Sequence, residues 1–135
     1  MRFTVWLAAF LVCGCTVIRR SDASVDGPTD DGLAALCQRR VSSTNGCSDT
    51  CNMAVATAQA STCGAESGAL SGHTEAVAFD GCTSGCSVVR TCANGTQLID
   101  CACVGSCGAA RSPSFQSLLL RASSCVDSAI ATACY

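Results

Sequence analysis

Beyond its first fifteen residues the chain carries twelve cysteines: Cys37, Cys47, Cys51, Cys63, Cys82, Cys86, Cys92, Cys101, Cys103, Cys107, Cys125 and Cys134. About one residue in ten is therefore a thiol, the density of a disulfide scaffold. How much oil stands beside them decides what else can hold the fold. Leu, Ile, Val and Phe make up 21 of the 120 residues 16–135, under the roughly 20% at which a chain becomes doubtful as a self-sufficient globule. The overall figure of 49% hydrophobic is raised by 21 Ala and 14 Cys, which bring little apolar area. A large oily core and a multi-domain enzyme of ordinary build are excluded. So is a usual nucleic-acid binder, because Lys is absent, the eight Arg are scattered and the only Trp is Trp6.

The start of the chain reads as an export address. Arg2 precedes the apolar run from Phe3 to Val12. Ten residues are too few for a helix to cross a bilayer core, which takes about 20, so residues 1–14 are predicted as a signal peptide. Val12-Cys13-Gly14-Cys15 resembles the lipobox of bacterial lipoproteins, with an aliphatic residue, a small residue and then the cysteine that is lipidated. Cys13 stands where that motif usually has a small residue. The resemblance implies lipid attachment at Cys15 and a membrane-anchored domain facing the periplasm or the cell surface. Ordinary signal-peptidase cleavage before Cys15, giving a secreted protein, is the alternative that Val12 and Gly14 also permit. Residues 15–29 are predicted as a flexible, lipid-anchored tether. Asp22, Asp26, Asp30 and Asp31 lack the alternation and closing Glu of a calcium loop.

The folded part is expected from 30 to 135. Thr29 or Asp30 can cap a first helix whose face is Leu33, Leu36, Cys37 and Val41, with Arg39 and Arg40 where the helix dipole favours them. Ser48 caps a second, with Cys47, Cys51, Ala54, Val55, Ala58 and Thr62 on one side. Residues 64–72, with three Gly and two Ser, read as a loop or loose hairpin tip. A short third helix is placed at Thr74–Phe79 or after Gly81. Asn94-Gly95, flanked by VVRTCA and TQLIDCAC, predicts a β-hairpin near 88–103 with a two-residue turn. In that register Cys92 faces Gln97 and Val89 faces Asp100. Asn94-Gly95-Thr96 is also a glycosylation sequon, which the turn explains without a glycan. Ser112-Pro113 starts the final helix, and Phe115, Leu118, Leu119, Ala122, Cys125, Val126, Ala129, Ile130 and Ala133 follow at helical spacing. That helix should be the central packing element.

All twelve cysteines are assigned to disulfides. Asn45-Gly-Cys-Ser-Asp-Thr-Cys51 and Asp80-Gly-Cys-Thr-Ser-Gly-Cys86 echo each other, each placing two cysteines four apart on one helical face. Facing helices could join as Cys47–Cys86 and Cys51–Cys82, although twelve cysteines allow on the order of ten thousand pairings. Metal binding is the rival: Cys101, Cys103 and Cys107 are dense enough for a soft metal. Yet there is no C-x-x-C, the only His is His73, and exported thiols near one another pair. His73 with Glu75, Asp80 and the many serines permits a Ser-His-acid set on paper. No G-x-S-x-G elbow is present, and His73 reads as a solvent-exposed loop residue.

The sequence thus predicts a small disulfide-rich, mainly α-helical domain with one β-hairpin. It is expected to have no catalytic, cofactor or metal site and to act as a structural or partner-binding module of the cell envelope. Its contacts would be the membrane, through the N-terminal lipid, and a protein or envelope ligand; nucleic acid is not expected. A secreted cysteine-rich inhibitor or toxin-like effector is the alternative class, ahead of a small hydrolase or redox enzyme.

Overall fold

The computed structural model describes residues 30–135. The leader, Cys15, the tether and the cap at Thr29 or Asp30 lie outside the described residues and side chains. The first helix, α1 (Asp30–Ser42), buries Leu33, Leu36 and Cys37, as its spacing predicts. The second, α2 (Asp49–Thr57), starts at Ser48, whose hydroxyl accepts the Cys51 N–H. Cys51, Val55 and Ala58 are buried in a regular four-then-three rhythm. The next position in that rhythm is Thr62, but Thr62 is exposed and Cys63 is fully buried. The cause is a π-helical turn at Ala58–Thr62, where the Cys63 N–H reaches five residues back to the Ala58 carbonyl at 2.7 Å. One extra residue in the turn moves Cys63 onto the buried face.

Residues 64–72 are not a loop. They form α3 (Gly64–Ser71), which buries Leu70 and stops at Gly72. Ala65, Glu66, Ala69 and Leu70 favour helix, and a single interior Gly68 costs only about 1 kcal/mol against Ala. The next helix, α4 (Ala76–Ser84), runs unbroken through Gly81 and buries Phe79 and Thr83.

The hairpin is where the sequence places it, in a different register. Strands β1 (Val88–Thr91) and β2 (Gln97–Ile99) pair antiparallel. Thr91, not Cys92, faces Gln97; Arg90 faces Leu98 and Val88 faces Ile99, with an irregularity at Val89. A two-residue type I′ turn needs positive φ at both Asn94 and Gly95. Only Gly95 has it, at 85°. The loop is therefore three residues long, closed by Gly95 N–H to Cys92 carbonyl at 2.9 Å and Cys92 N–H to Thr96 carbonyl at 2.8 Å. Asp100, which the shorter turn would set against Val89, instead donates its N–H to the Ser87 carbonyl at 2.8 Å.

The chain then turns at once into α5 (Cys101–Ala109), a helix the sequence pattern did not reveal. Asp100 caps it, its carboxylate accepting the Ala102 N–H at 3.0 Å. α5 packs closely on α1, and Gly108 permits the approach: a Cβ there would lie 2.8 Å from a Leu33 methyl and 3.2 Å from one of Leu119. The last helix, α6 (Pro113–Cys134), has Ser112 as cap and Pro113 in its first turn. It is the central packing element and meets α1, α2, the π turn, α3 and α5. Phe115, Leu119, Ala122, Val126 and Ile130 form its buried stripe, each large apolar side chain stabilising the fold by roughly 1.5–3 kcal/mol relative to exposure. The protein is a small, mainly α-helical, disulfide-rich domain with one β-hairpin.

Candidate functional site

The chemistry of this domain is concentrated in its cysteines. Six disulfides join Cys37–Cys101, Cys47–Cys92, Cys51–Cys134, Cys63–Cys125, Cys82–Cys107 and Cys86–Cys103. All twelve cysteines assigned to crosslinks are thus paired. The pairs Cys47–Cys86 and Cys51–Cys82 do not form. The antiparallel ladder of two four-spaced pairs does exist, but between other helices. Cys82 on α4 and Cys86, just past the cap that ends α4, meet Cys107 and Cys103 on α5, with Cα–Cα distances of 5.8 Å in both rungs. The hairpin between α4 and α5 sets them side by side, so the chain's own connectivity selects this partner. Cys47, in the turn before α2, reaches the end of β1 at Cys92, while Cys51 faces Cys134 on α6. The signal that identifies the ladder is the second four-residue spacing, Cys103 to Cys107, which is hidden inside the Cys-Ala-Cys cluster.

Two of these rungs crowd together. The sulfurs of Cys86, Cys103 and Cys107 lie within 4.8 Å of one another. Cys86 and Cys107 are buried, Cys103 is half-buried and Cys82 is exposed.

His73 is not the exposed loop residue its sequence context predicts. It sits in the turn between α3 and α4, partly buried, with its ring 5.2 Å from that of Phe115. Its Nε2 is 3.5 Å from the Ser114 hydroxyl, and its Nδ1 is 4.0 Å from the Glu75 carboxylate. On distance alone this resembles a serine–histidine–acid array. The donors and acceptors run otherwise. The Glu75 backbone N–H donates to Nδ1 at 3.2 Å, so in the neutral ring the proton sits on Nε2, opposite to what a base accepting the Ser114 proton needs. The Glu75 carboxylate is turned to the start of α6, where it accepts the Ser112 N–H at 3.1 and 3.2 Å and the Ser112 hydroxyl. The hydroxyl contact does most to hold the Glu75 carboxyl below its ordinary value; partial desolvation opposes it, and the Ser112 N–H, His73 and Arg111 add to it. An anion at a helix N-terminus is stabilising. The cluster ties the start of α4 to the start of α6. Asp80, the other acid near His73 in sequence, lies within α4, and burial raises its carboxyl.

The Arg39-Arg40 pair is placed by its sequence position at a helix end, and the structure gives each residue a specific partner. Arg39 meets Asp127 at 2.9 Å and lies 4.0 Å over the Tyr135 ring. The Tyr135 hydroxyl donates to the other Asp127 oxygen at 2.7 Å. Burial, then the hydrogen bond to Asp127 and its charge, push the Tyr135 hydroxyl well above the usual tyrosine range. Arg40 is only 1% exposed, and its Nε donates to the Gly46 carbonyl at 2.8 Å. A buried charge of this kind is stable only when paired and hydrogen-bonded. Apolar periodicity carries no trace of these buried ions.

Among the described residues no helix is long and apolar enough to cross a membrane. The fold as built needs an oxidising environment, since six crosslinks of this kind do not persist among cytosolic reductants. No protein-family model, curated protein or solved structure matches the chain.

Proposed function

We propose that the protein is a non-catalytic lipoprotein of a bacterial cell envelope, anchored through lipid on Cys15, whose disulfide-stapled domain serves a structural or partner-binding role. The observation that carries this is the complete pairing of the domain's twelve cysteines, the state of an exported chain. It is supported by the engagement of the reactive-looking side chains in holding the fold. Glu75 caps a helix, His73 packs on Phe115, and Asp127 is shared between Arg39 and Tyr135. The Val12-Cys13-Gly14-Cys15 motif supports the anchor, with residues 15–29 as tether and 1–14 as the removed signal.

Membrane fractionation and intact mass test the proposal together. The expected product begins at Cys15, carries acyl chains and sediments with membranes. A soluble, unacylated product would move the protein to the secreted inhibitor or effector class. The non-catalytic part is tested with His73→Ala and Ser114→Ala. An ester- or amide-hydrolysing activity that vanishes in both, with folding intact, would overturn it.

A further inference from the structure

Spacing alone offers three cysteine pairs four residues apart: Cys47/Cys51, Cys82/Cys86 and Cys103/Cys107. A pair so spaced on a helix presents two sulfurs on one face, within the spacing that tetrahedral thiolate sites use. A site of four thiolates needs two such pairs to face each other. Cys47 and Cys51 part company, one going to the hairpin and the other to the end of α6. Cys82 on α4 and Cys86 just beyond its C-terminal cap do face Cys107 and Cys103 on α5. Three of their sulfurs already lie within 4.8 Å of one another, and the fourth, on Cys82, is bonded to one of the three. Zinc–sulfur bonds of about 2.3 Å set neighbouring sulfurs about 3.8 Å apart in a tetrahedron. Opening the two disulfides frees the three clustered sulfurs to settle at that spacing, and a swing of the exposed Cys82 side chain toward them would complete the set. Buried Cys86 and Cys107 would form the inner side of the site, and exposed Cys82 gives a reductant its point of attack.

We propose that Cys82, Cys86, Cys103 and Cys107 form a redox-gated metal site that holds one Zn²⁺ when its disulfides are open. Two molecules of a dithiol reduce the two disulfides, yielding four protein thiols and two oxidised, cyclic disulfides of the reductant. Zn²⁺ then displaces four thiol protons and forms four zinc–sulfur bonds. Two molecules of a small-molecule disulfide re-oxidise the site: each accepts two electrons and two protons to become two thiols, the four thiolates restore the two rungs, and the ion is released. The ladder and the zinc site both clamp α4 to α5, so this helix pair keeps one geometry in either redox state. The inference does not depend on the Cys15 anchor.

The test uses the protein treated anaerobically with a limiting dithiol, two molecules per chain, so that the other four disulfides hold the fold, with Zn²⁺ alone as the probe. Zinc uptake is measured against a chromophoric chelator, Co²⁺ replaces Zn²⁺ for the visible spectrum of tetrahedral thiolate coordination, and alkylation followed by peptide mapping shows which thiols are protected. One ion per chain is expected, with Cys82, Cys86, Cys103 and Cys107 the thiols opened and alkylated at least about tenfold more slowly with Zn²⁺ than without it. Replacing those four by Ser should abolish binding and the cobalt spectrum, whereas Cys47→Ser/Cys51→Ser should leave both. No zinc uptake, uniform protection, protection centred on Cys47 and Cys51, or binding retained without the four ligands would each overturn the proposal.

Discussion

The two ends of α6 lie in different kinds of core. Its first half joins a cluster containing Leu33, Leu36, Leu70, Phe79, Val104, Phe115 and Leu119, in which four of thirteen buried residues are cysteine. Its second half joins a smaller cluster of Cys51, Val55, Ala58, Cys63, Val126, Ile130 and Cys134, in which three of seven are cysteine. The first region has oil enough to pack; it holds one long-range bond, Cys37–Cys101 across 64 residues, while its ladder between α4 and α5 closes short loops of 25 and 17 residues. The second has little, and its crosslinks span 83 and 62 residues. An ion pair between half-buried Arg39 and Asp127, the Tyr135 hydrogen bond to the same carboxylate, and buried Arg40 on the Gly46 carbonyl flank that poorer end. Where apolar area is scarce, both crosslinks close long loops, and an ion pair with its hydrogen bonds stands beside them.

Removing crosslinks should separate the two regions most widely. In the loop-entropy account, taken singly, the Cys51–Cys134 bond contributes about 4.5 kcal/mol and Cys86–Cys103 about 3 kcal/mol. Cys51→Ala/Cys134→Ala should therefore lower the denaturation midpoint more than Cys86→Ala/Cys103→Ala. The reverse order in chemical unfolding would break the comparison. Core truncation comes next. Phe115→Ala, which also removes the tilted contacts with His73 and Phe79, should cost about 3–5 kcal/mol, and Ile130→Ala about 2–5 kcal/mol. Because crosslinks rather than packing close the second region, the Ile130 variant is expected at the lower end of its range. A cost above that of Phe115→Ala would show that oil matters equally at both ends.

How much of this could be read from the residues follows the range of each signal. The Ser48 and Ser112 caps, the stripe of α6 and the position of the hairpin are local, and they stand as the sequence predicts. α3 was hidden by the glycines at 64, 68 and 72, although its helix-forming residues lie between them. α5 was hidden because Cys101-Ala-Cys103 reads as the tail of a β-rich run, and only the Asp100 cap distinguishes it. The phase slip that buries Cys63 leaves no mark in composition, since Thr62 fits an ordinary helical spacing equally well. The pairings are non-local, and turn chemistry does not encode them. Cys82 and Cys86 find Cys107 and Cys103 because a hairpin links the end of α4 to α5, and that pairing is visible only once α5 is. The buried Arg40 and Asp127 were out of reach for a related reason: charged residues do not enter an apolar stripe.

Two smaller effects sharpen the contrast through pH. Tyr135→Phe takes a donor from nearly buried Asp127 and should cost about 1–3 kcal/mol at neutral pH. In the unaltered protein the raised Tyr135 value means that its contribution is complete below the ordinary tyrosine value of 10.0 and is lost as pH rises above it. The Phe variant should lack that alkaline loss in a stability–pH profile. At the opposite end, the lowered Glu75 value means stability present above the ordinary carboxylate value of 4.5 and lost as pH falls through the lower, folded value. Glu75→Gln should flatten that acid slope with the smallest change at neutral pH. An undiminished slope would assign the acid sensitivity to other carboxylates.

Non-reducing peptide mapping by mass spectrometry tests the central claim, that a specific set of crosslinks supplies what the sparse core cannot. The account predicts Cys37–Cys101, Cys47–Cys92, Cys51–Cys134, Cys63–Cys125, Cys82–Cys107 and Cys86–Cys103 in the native protein, with no thiol of residues 30–135 free to alkylate. Linked peptides carrying Cys47–Cys86 or Cys51–Cys82, or a stoichiometric free thiol among the twelve, would contradict it.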